Sequence, residues 1–203
     1  MFDAVARKYG RFILEPLARF ISFTGISPNL ITIIGFLLTV GVTVVLAQGH
    51  LVLGGWLLIA SSIFDGLDGT VARLLGRTSR FGAFLDSTVD RMSEAVILFG
   101  LFIYLSGQNQ KIELILIYAT VVGSLMVSYA RARAEGIGVT VKEGLFTRFE
   151  RVFIMCAGLI LNLLTPALWI LAVFSNLTAI QRMYLVWCIA GDESNVSPTG
   201  KQP

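Results

Sequence analysis

Charge is scarce in this chain of 203 residues: Asp, Glu, Lys and Arg make up 14% of it, against about 25% in a soluble domain. Apolar residues account for 55%, more than a single soluble core of this size can bury. A soluble globular fold and a disordered chain are both excluded on those grounds. Cysteine is nearly absent. The two present, Cys156 and Cys188, sit inside apolar runs and read as small buried hydrophobes, which excludes a disulfide scaffold. One histidine, His50, is too few for a zinc site. Residues 1–19 lack an unbroken apolar core and carry Arg7, Lys8, Arg11 and Arg19, so they are not expected to act as a signal peptide. A polytopic membrane protein remains.

A spanning helix needs about 20 mostly apolar residues. Six segments are candidates: Leu30–Gln48; Leu51 through Phe64 and on into DGLDGTVARLL; Phe81–Tyr104; Ile112 to about Tyr129; Arg151–Leu164, closed by Thr165 and Pro166; and Ala167–Ala190. The positive-inside rule tests that count. Cations cluster before the first span, between the second and third (Arg73, Arg77, Arg80) and between the fourth and fifth (Arg131, Arg133, Lys142, Arg148, Arg151). The opposite connections hold one, Lys111. Both termini and both basic loops are therefore expected on the cytosolic side of a cell-membrane protein.

Residues 2–23 mix apolar residues with a basic face and predict an amphipathic helix lying in the interface. Residues 24–29 then turn the chain into the first span. The expected organisation is one membrane domain, 1–190, in which 1–27 form that juxtamembrane helix and turn, followed by a disordered polar tail, 191–203.

Ionisable side chains inside a span are costly, so each one points to function. Here they cluster. Asp65 and Asp68 stand i,i+3, and Asp86 and Asp90 i,i+4, so each pair shares a helix face. Both pairs lie at the cytosolic ends of neighbouring antiparallel spans, where four carboxylates would repel one another unless cations sat among them. Such a density suits hard divalent metals, Mg²⁺ or Mn²⁺, and two ions about 4 Å apart would suit phosphoryl transfer. Ion pairs with Arg73, Arg77, Arg80 and Arg91 would merely stitch two helices together, and buried ion pairs stabilise little. A cation pathway would account for the acids but not for their neighbours. Gly66, Gly69 and Gly82 leave room for a backbone or ligand. Arg73 follows one turn after Gly69, where a fixed cation can meet a phosphate, and Ser79 and Arg80 stand at the mouth of the third span.

Asp65-x-x-Asp68-Gly69-x-x-Ala72-Arg73, eight residues, then Gly82-x-x-x-Asp86-x-x-x-Asp90 resembles the complete signature of the CDP-alcohol phosphotransferases. The six-span layout and amphipathic first helix are similar to that family as well, which implies an all-α integral membrane fold. The resemblance implies a reaction in which an acceptor hydroxyl attacks the β-phosphate of a CDP-linked lipid and CMP leaves. It implies two metal ions, Mg²⁺ with Mn²⁺ as the alternative: Asp65 and Asp86 touching both, Asp68 one, and Asp90 the other while serving as general base. By the same resemblance Gly69, Arg73 and Ser79 hold the CMP moiety together with Pro28, Asn29, Leu30 and Ile31, and the enzyme is a homodimer.

A second basic constellation bears on the acceptor. Ser128, Arg131 and Arg133 end the fourth span, Arg148 and Arg151 open the fifth, and Arg182 lies within the sixth. An arginine that far into an apolar run needs an anionic partner, and arginines from several spans near the metal mouth would bind a second phosphate. Positive-inside anchoring is the plainer reading for Arg133 and Lys142, and it competes for Arg148. These segments resemble the inositol-phosphate-using branch of the family. There a Ser and a Lys of S-Y-x-K-A-R-A-E, an Arg of E-R-x-E-R and an Arg of a Q-R pair bind the acceptor's phosphate. Ser128, Arg151 and Arg182 fall at matching places, Arg131 stands for the Lys, and Thr147 for the first Glu.

The resulting expectation is transfer from CDP-diacylglycerol or CDP-archaeol to myo-inositol phosphate, with Ser128, Arg131, Arg148, Arg151 and Arg182 around the acceptor's phosphate. Glycerol 3-phosphate as acceptor is the alternative within the class, and a cation transporter built on the Asp cluster the alternative outside it. Membrane lipid surrounds the protein, and no nucleic-acid partner is expected.

Overall fold

A computed structural model of the chain describes residues 15–23, 25–141 and 144–195. Within them every regular element is a helix: α1 Pro28–Ala47, α2 Leu51–Leu74, α3 Arg80–Ser106, α4 Lys111–Gly136, α5 Arg148–Ile160 and α6 Leu164–Asn195. Helix starts have local causes. Ser27 caps α1 by accepting the Leu30 N–H at 3.3 Å, with Pro28 just inside. Ser79 caps α3 by accepting the Gly82 N–H at 2.9 Å. On α5, Thr147 and Glu150 form a capping box, the Thr147 N–H donating to the Glu150 carboxylate at 2.8 Å. Gly49, between α1 and α2, has φ +86°, and a Cβ there would lie 2.7 Å from the Tyr104 ring, so both turn and packing demand glycine.

Each helix packs chiefly against two others, closing a ring in the order α1, α2, α5, α6, α4, α3. One end of the ring is apolar. There the C-terminal ends of α1, α3 and α5 meet the N-terminal ends of α2, α4 and α6 around Leu46, Leu58, Leu101, Leu105, Leu116, Leu159 and Leu168. Lipid tails are as apolar as leucine, so close backbone approach rather than water exclusion holds such helices together. A Cβ on Gly100 would lie 2.6 Å from the Thr43 carbonyl oxygen, and one on Gly123 would lie 2.9 Å from the Asn176 backbone nitrogen. Outward faces carry Trp56, Phe99, Ile115, Tyr118, Phe153 and Trp187, all exposed, an apolar surface that a soluble monomer would not leave to water. On the ring axis a cavity of about 30 Å³ is lined from all six helices, including Thr39, Ser61, Ser93, Glu94, Thr120 and Arg148. It has room for one water, and it marks the change from the apolar end to a polar one.

Among the described residues four of the six helices are long and apolar enough by length and composition to cross a membrane: α1, α2, α4 and Leu164–Ala190 of α6. Helix α3 has 27 residues but carries Asp86, Asp90, Arg91 and Glu94. Helix α5 has 13 residues, about 20 Å at 1.5 Å per residue, short of a hydrocarbon core of about 30 Å. The break expected at Thr165 and Pro166 falls earlier. Helix α5 ends at Ile160, the chain turns through Asn162 at φ +57°, and α6 starts at Leu164. Proline belongs in that first turn because its missing N–H has no intrahelical acceptor to serve. Helix α6 also runs on to Asn195, into the segment expected to be disordered, and no proline interrupts it before Pro198. Residues 196–203 lie outside the described residues, as do residues 1–14 of the expected interfacial helix; residues 15–22 are helical, with Ala18 buried and Phe20 exposed.

Candidate active site

The polar end of the ring is organised by α2 and α3, which residues 75–79 connect. Asp68 is buried, and helix α1 holds it: Thr32 Oγ1 donates to Asp68 Oδ2 at 2.5 Å, while the Gly69 backbone N–H donates to Oδ1. Asp65 passes α1 at Gly35, one turn beyond Thr32, where a Cβ would lie 2.5 Å from Asp65 Oδ1. Helix α1 therefore supplies a hydroxyl for one acid and an open seat for the other. From the first turn of α5, Arg148 Nη2 donates to Asp65 Oδ2 at 3.2 Å and Nη1 forms an ion pair with Asp90 Oδ2 at 2.7 Å, tying α5 to both α2 and α3. Asp65, Asp68, Asp86 and Asp90 stand close enough to repel one another electrostatically.

Among the described residues no three acids are drawn into a ready coordination sphere; a guanidinium joins Asp65 to Asp90 instead. The donor chemistry nonetheless fits a hard divalent cation. Four carboxylates from two helices leave a negative excess that one guanidinium does not neutralise, and all their donors are oxygen.

Two clefts open beside the acids. The first, about 220 Å³, is lined by Pro28, Asn29, Thr32, Asp68, Gly69, Arg73, Arg77, Thr78, Ser79, Gly82 and Asp86. A Cβ on Gly82 would lie 3.2 Å from Asn29 Oδ1, so this glycine lets α1 close on the start of α3. Arg73 is held by donating to Thr70 Oγ1 at 3.1 Å. Of the expected residues, Pro28, Asn29, Gly69, Arg73 and Ser79 are in the lining, but Leu30 and Ile31 are not. Leu30 is 46% exposed, and Ile31 packs with Leu67 and Val71. Thr32, one full turn after Pro28, lines the cleft instead, and its hydroxyl holds Asp68. Helical spacing from Pro28 could have found Thr32; Arg77 and Thr78 enter through the turn at Gly76, which no motif announced.

The second cleft, about 410 Å³, holds Asp86, Asp90 and Glu94 against five arginines, Arg91, Arg131, Arg148, Arg151 and Arg182, with Ser128 beside them. All five expected acceptor-site residues are in this lining, from three different helices. They are not equally free. Arg151 is buried and makes a two-pronged bond to Glu94 at 2.7 and 2.9 Å, with a third to the Phe146 carbonyl at 3.4 Å. Arg182 is buried and donates to the Val127 carbonyl at 2.7 Å. Arg131 makes an exposed pair with Glu135 at 2.9 Å. Sequence reasoning missed Arg91 and Glu94 here, although Glu94 shares a helix face with Asp90 and Arg91 is the residue after Asp90. Asp86 belongs to both clefts.

Residues 25–188 match the family model of the CDP-alcohol phosphatidyltransferases. The chain is similar to the archaetidylinositol phosphate synthase of Pyrococcus horikoshii, with 40% identity over 172 residues, covering 84% of this chain and 89% of that one. In structure it is similar to the phosphatidylinositol phosphate synthase of Mycobacterium tuberculosis with CDP-DAG bound, at a TM-score of 0.82 and 31% identity over 94% of this chain and 98% of that one. The same enzyme in complex with manganese and citrate matches at a TM-score of 0.81 and 31% identity, over 93% and 91% of the two chains. The matched stretch contains all four acids, both clefts and the apolar helices of a multi-pass membrane protein, and the chain thus belongs to the CDP-alcohol phosphatidyltransferase family.

Proposed function

We propose that the chain transfers the lipid phosphatidyl group of CDP-diacylglycerol, or the corresponding group of CDP-archaeol, to a hydroxyl of myo-inositol phosphate, releasing CMP. The observation that carries this reading is the meeting of two unlike clefts at one acid, Asp86. A CDP-lipid in the smaller cleft brings its pyrophosphate to Asp68, Asp86 and Arg73. A phosphorylated alcohol in the arginine cleft brings a hydroxyl to Asp90. The relatives named for inositol phosphate lipids favour that acceptor over glycerol 3-phosphate.

The acceptor oxygen forms a bond to the β-phosphorus, the bond from that phosphorus to the oxygen of CMP breaks, and CMP leaves with the electron pair. The hydroxyl proton passes to the Asp90 carboxylate, the general base. Arg73 meets the donor phosphates as a planar fork, with Gly69, Ser79, Pro28 and Asn29 shaping the nucleotide's seat. Ser128, Arg131, Arg148, Arg151 and Arg182 receive the acceptor's phosphate. Arg151, already committed to Glu94, contributes chiefly by fixing the floor of the cleft. Asp65, Asp68, Asp86 and Asp90 would hold two Mg²⁺ ions, or Mn²⁺, which when bound offset the negative charge that builds up on the pyrophosphate. The family is divalent-metal dependent, and the manganese in one similar structure supports this part of the reading.

In this reading the chain crosses the membrane six times, with α5 covering only about 20 Å of its path. The acids of α3 line the clefts of the ring instead of facing lipid, and the short α5 lies between the apolar α2 and α6. Arg73, Arg77, Arg80 and Arg148 gather at the site's end and Lys111 at the other, which supports a site on the cytosolic side of the cell membrane. The family resemblance supports a homodimer.

The test is CMP release by purified protein with Mg²⁺ and CDP-diacylglycerol or CDP-archaeol, offered myo-inositol 1-phosphate and glycerol 3-phosphate in parallel. Release with inositol phosphate is the expected result. Release with glycerol phosphate alone would overturn the acceptor, and release with neither would overturn the reading.

A further inference from the structure

Arg148 stands where the two halves of the site meet. Its side chain lines both the axial cavity and the arginine cleft, and it is 39% exposed. Its terminal nitrogens sit on Asp65 and Asp90, at 3.2 and 2.7 Å. Its Nε is buried and has no hydrogen-bond partner among the described residues. A buried N–H without an acceptor costs free energy, so the seat on the two acids satisfies the guanidinium only in part. Those acids are also the ones that divalent cations would occupy, and a guanidinium in contact with them opposes such ions by like-charge repulsion. The neighbouring seat is complementary. Arg148 is already in the lining of the arginine cleft, where Arg91, Arg131, Arg151 and Arg182 outnumber the acids Asp86, Asp90 and Glu94, so an anion entering the cleft would attract its guanidinium. The two seats adjoin, because Asp90 is itself in the lining of that cleft. The capping box of Thr147 and Glu150 anchors the helix turn from which Arg148 projects, so a change of seat needs only side-chain rotation.

Building on the function proposed above, we propose that Arg148 is a positioning residue that couples cation binding at the Asp cluster to phosphate binding in the arginine cleft. Divalent cations on Asp65 and Asp90 release its guanidinium, which turns to the phosphate as a two-pronged donor. Phosphate draws the same guanidinium off the acids and clears them for cations. By reciprocity each ligand raises the affinity for the other by one common factor.

The experiment measures Mn²⁺ binding to the detergent-solubilised full chain by electron paramagnetic resonance, with and without myo-inositol 1-phosphate, and with no CDP-lipid present. In the wild type the phosphate should tighten Mn²⁺ binding by about 5-fold or more, within the usual range of coupling between sites. Arg148→Gln should bind Mn²⁺ more tightly than the wild type without phosphate, and adding phosphate should then change its affinity less than about 2-fold, a small step on the same scale. Arg131→Gln removes a cation from the same cleft that does not touch the metal-site acids. It should weaken phosphate binding and keep the wild-type coupling factor. Direct attraction between bound cations and phosphate would persist in both variants, so an unchanged factor in Arg148→Gln overturns the proposal while leaving the transfer reaction standing. Arg148→Lys is the second variant: one ammonium cannot bridge both acids and a phosphate as a fork can, so its coupling must fall too, and wild-type coupling there overturns the proposal equally. Absence of Mn²⁺ binding to the wild type would overturn it together with the metal-site reading.

Discussion

Replacing Gly35 by alanine should damage the site from a residue that touches no substrate. The backbone at Gly35 is helical, so alanine itself meets no conformational strain. The conflict is with Asp65. The new Cβ would lie 2.5 Å from Asp65 Oδ1, whereas ordinary contact begins at 3.4 Å, so the carboxylate has to withdraw by about 1 Å. A misplacement of about 1 Å in a catalytic array costs up to ~100-fold in rate, equivalent to about 2.7 kcal/mol of transition-state stabilisation. Overpacking adds a cost in stability of about 1–3 kcal/mol. Gly41→Ala, on the same helix with nothing within 4 Å of its Cβ, is the matched control. It should leave turnover unchanged and stabilise the helix by up to about 1 kcal/mol. The assay is kcat/KM for CMP release, normalised to the folded fraction from a thermal-melt curve. If Gly35→Ala keeps kcat/KM within about 3-fold of wild type, a difference of ~0.7 kcal/mol, then Asp65 is not held in a functional position by α1 and the seat described here is wrong.

Four further outcomes are expected. Thr32→Val removes the hydroxyl that holds Asp68 at 2.5 Å and should weaken Mn²⁺ affinity by about 10–100-fold, with Thr32→Ser restoring most of it in a titration. Glu94→Ala leaves the buried Arg151 guanidinium without its two-pronged partner and should cost about 3–5 kcal/mol of stability, seen as a large fall in Tm; an unchanged melt would mean that the pair is relieved by water. Asp90→Asn should lower kcat by about 10²–10⁴-fold while CDP-lipid still binds, measured by equilibrium binding beside turnover. Arg182→Ala should raise KM for the phosphorylated acceptor by about 10-fold or more and leave KM for CDP-lipid nearly unchanged, because a charge-assisted contact is worth about 1.5–3 kcal/mol; equal effects on both substrates would remove Arg182 from the acceptor's seat.

The membrane class of this protein was legible in bulk composition, because lipid selects long apolar runs whatever their order. The acid motif was legible as well. Its spacings, three residues on α2 and four on α3, are properties of a helix, and a connection as short as residues 75–79 keeps the acids of both helices at one end of the ring, with α1 packed between the two helices. Family resemblance rested on those same local spacings. Helix ends were less legible: the capping signals of Ser27 and Ser79 are local, but the short α5 and the early start of α6 at Leu164 depend on how the last helices fit the ring.

What only the tertiary structure decided is the set of partnerships between distant residues. Thr32 meets Asp68 across 36 positions, Arg151 meets Glu94 across 57, and Arg148 meets Asp65 across 83. No periodicity encodes such pairs, because the side chain that meets an acid is chosen by which helix the ring sets beside it. The open seat at Gly35 and the two commitments of Arg148 belong to the same class. In the sequence alone Gly35 is one more small residue in an apolar helix, and Arg148 is one more cation in a basic loop. Closure of the ring turns the first into space for a carboxylate and places the second between two acids and a cleft for phosphate.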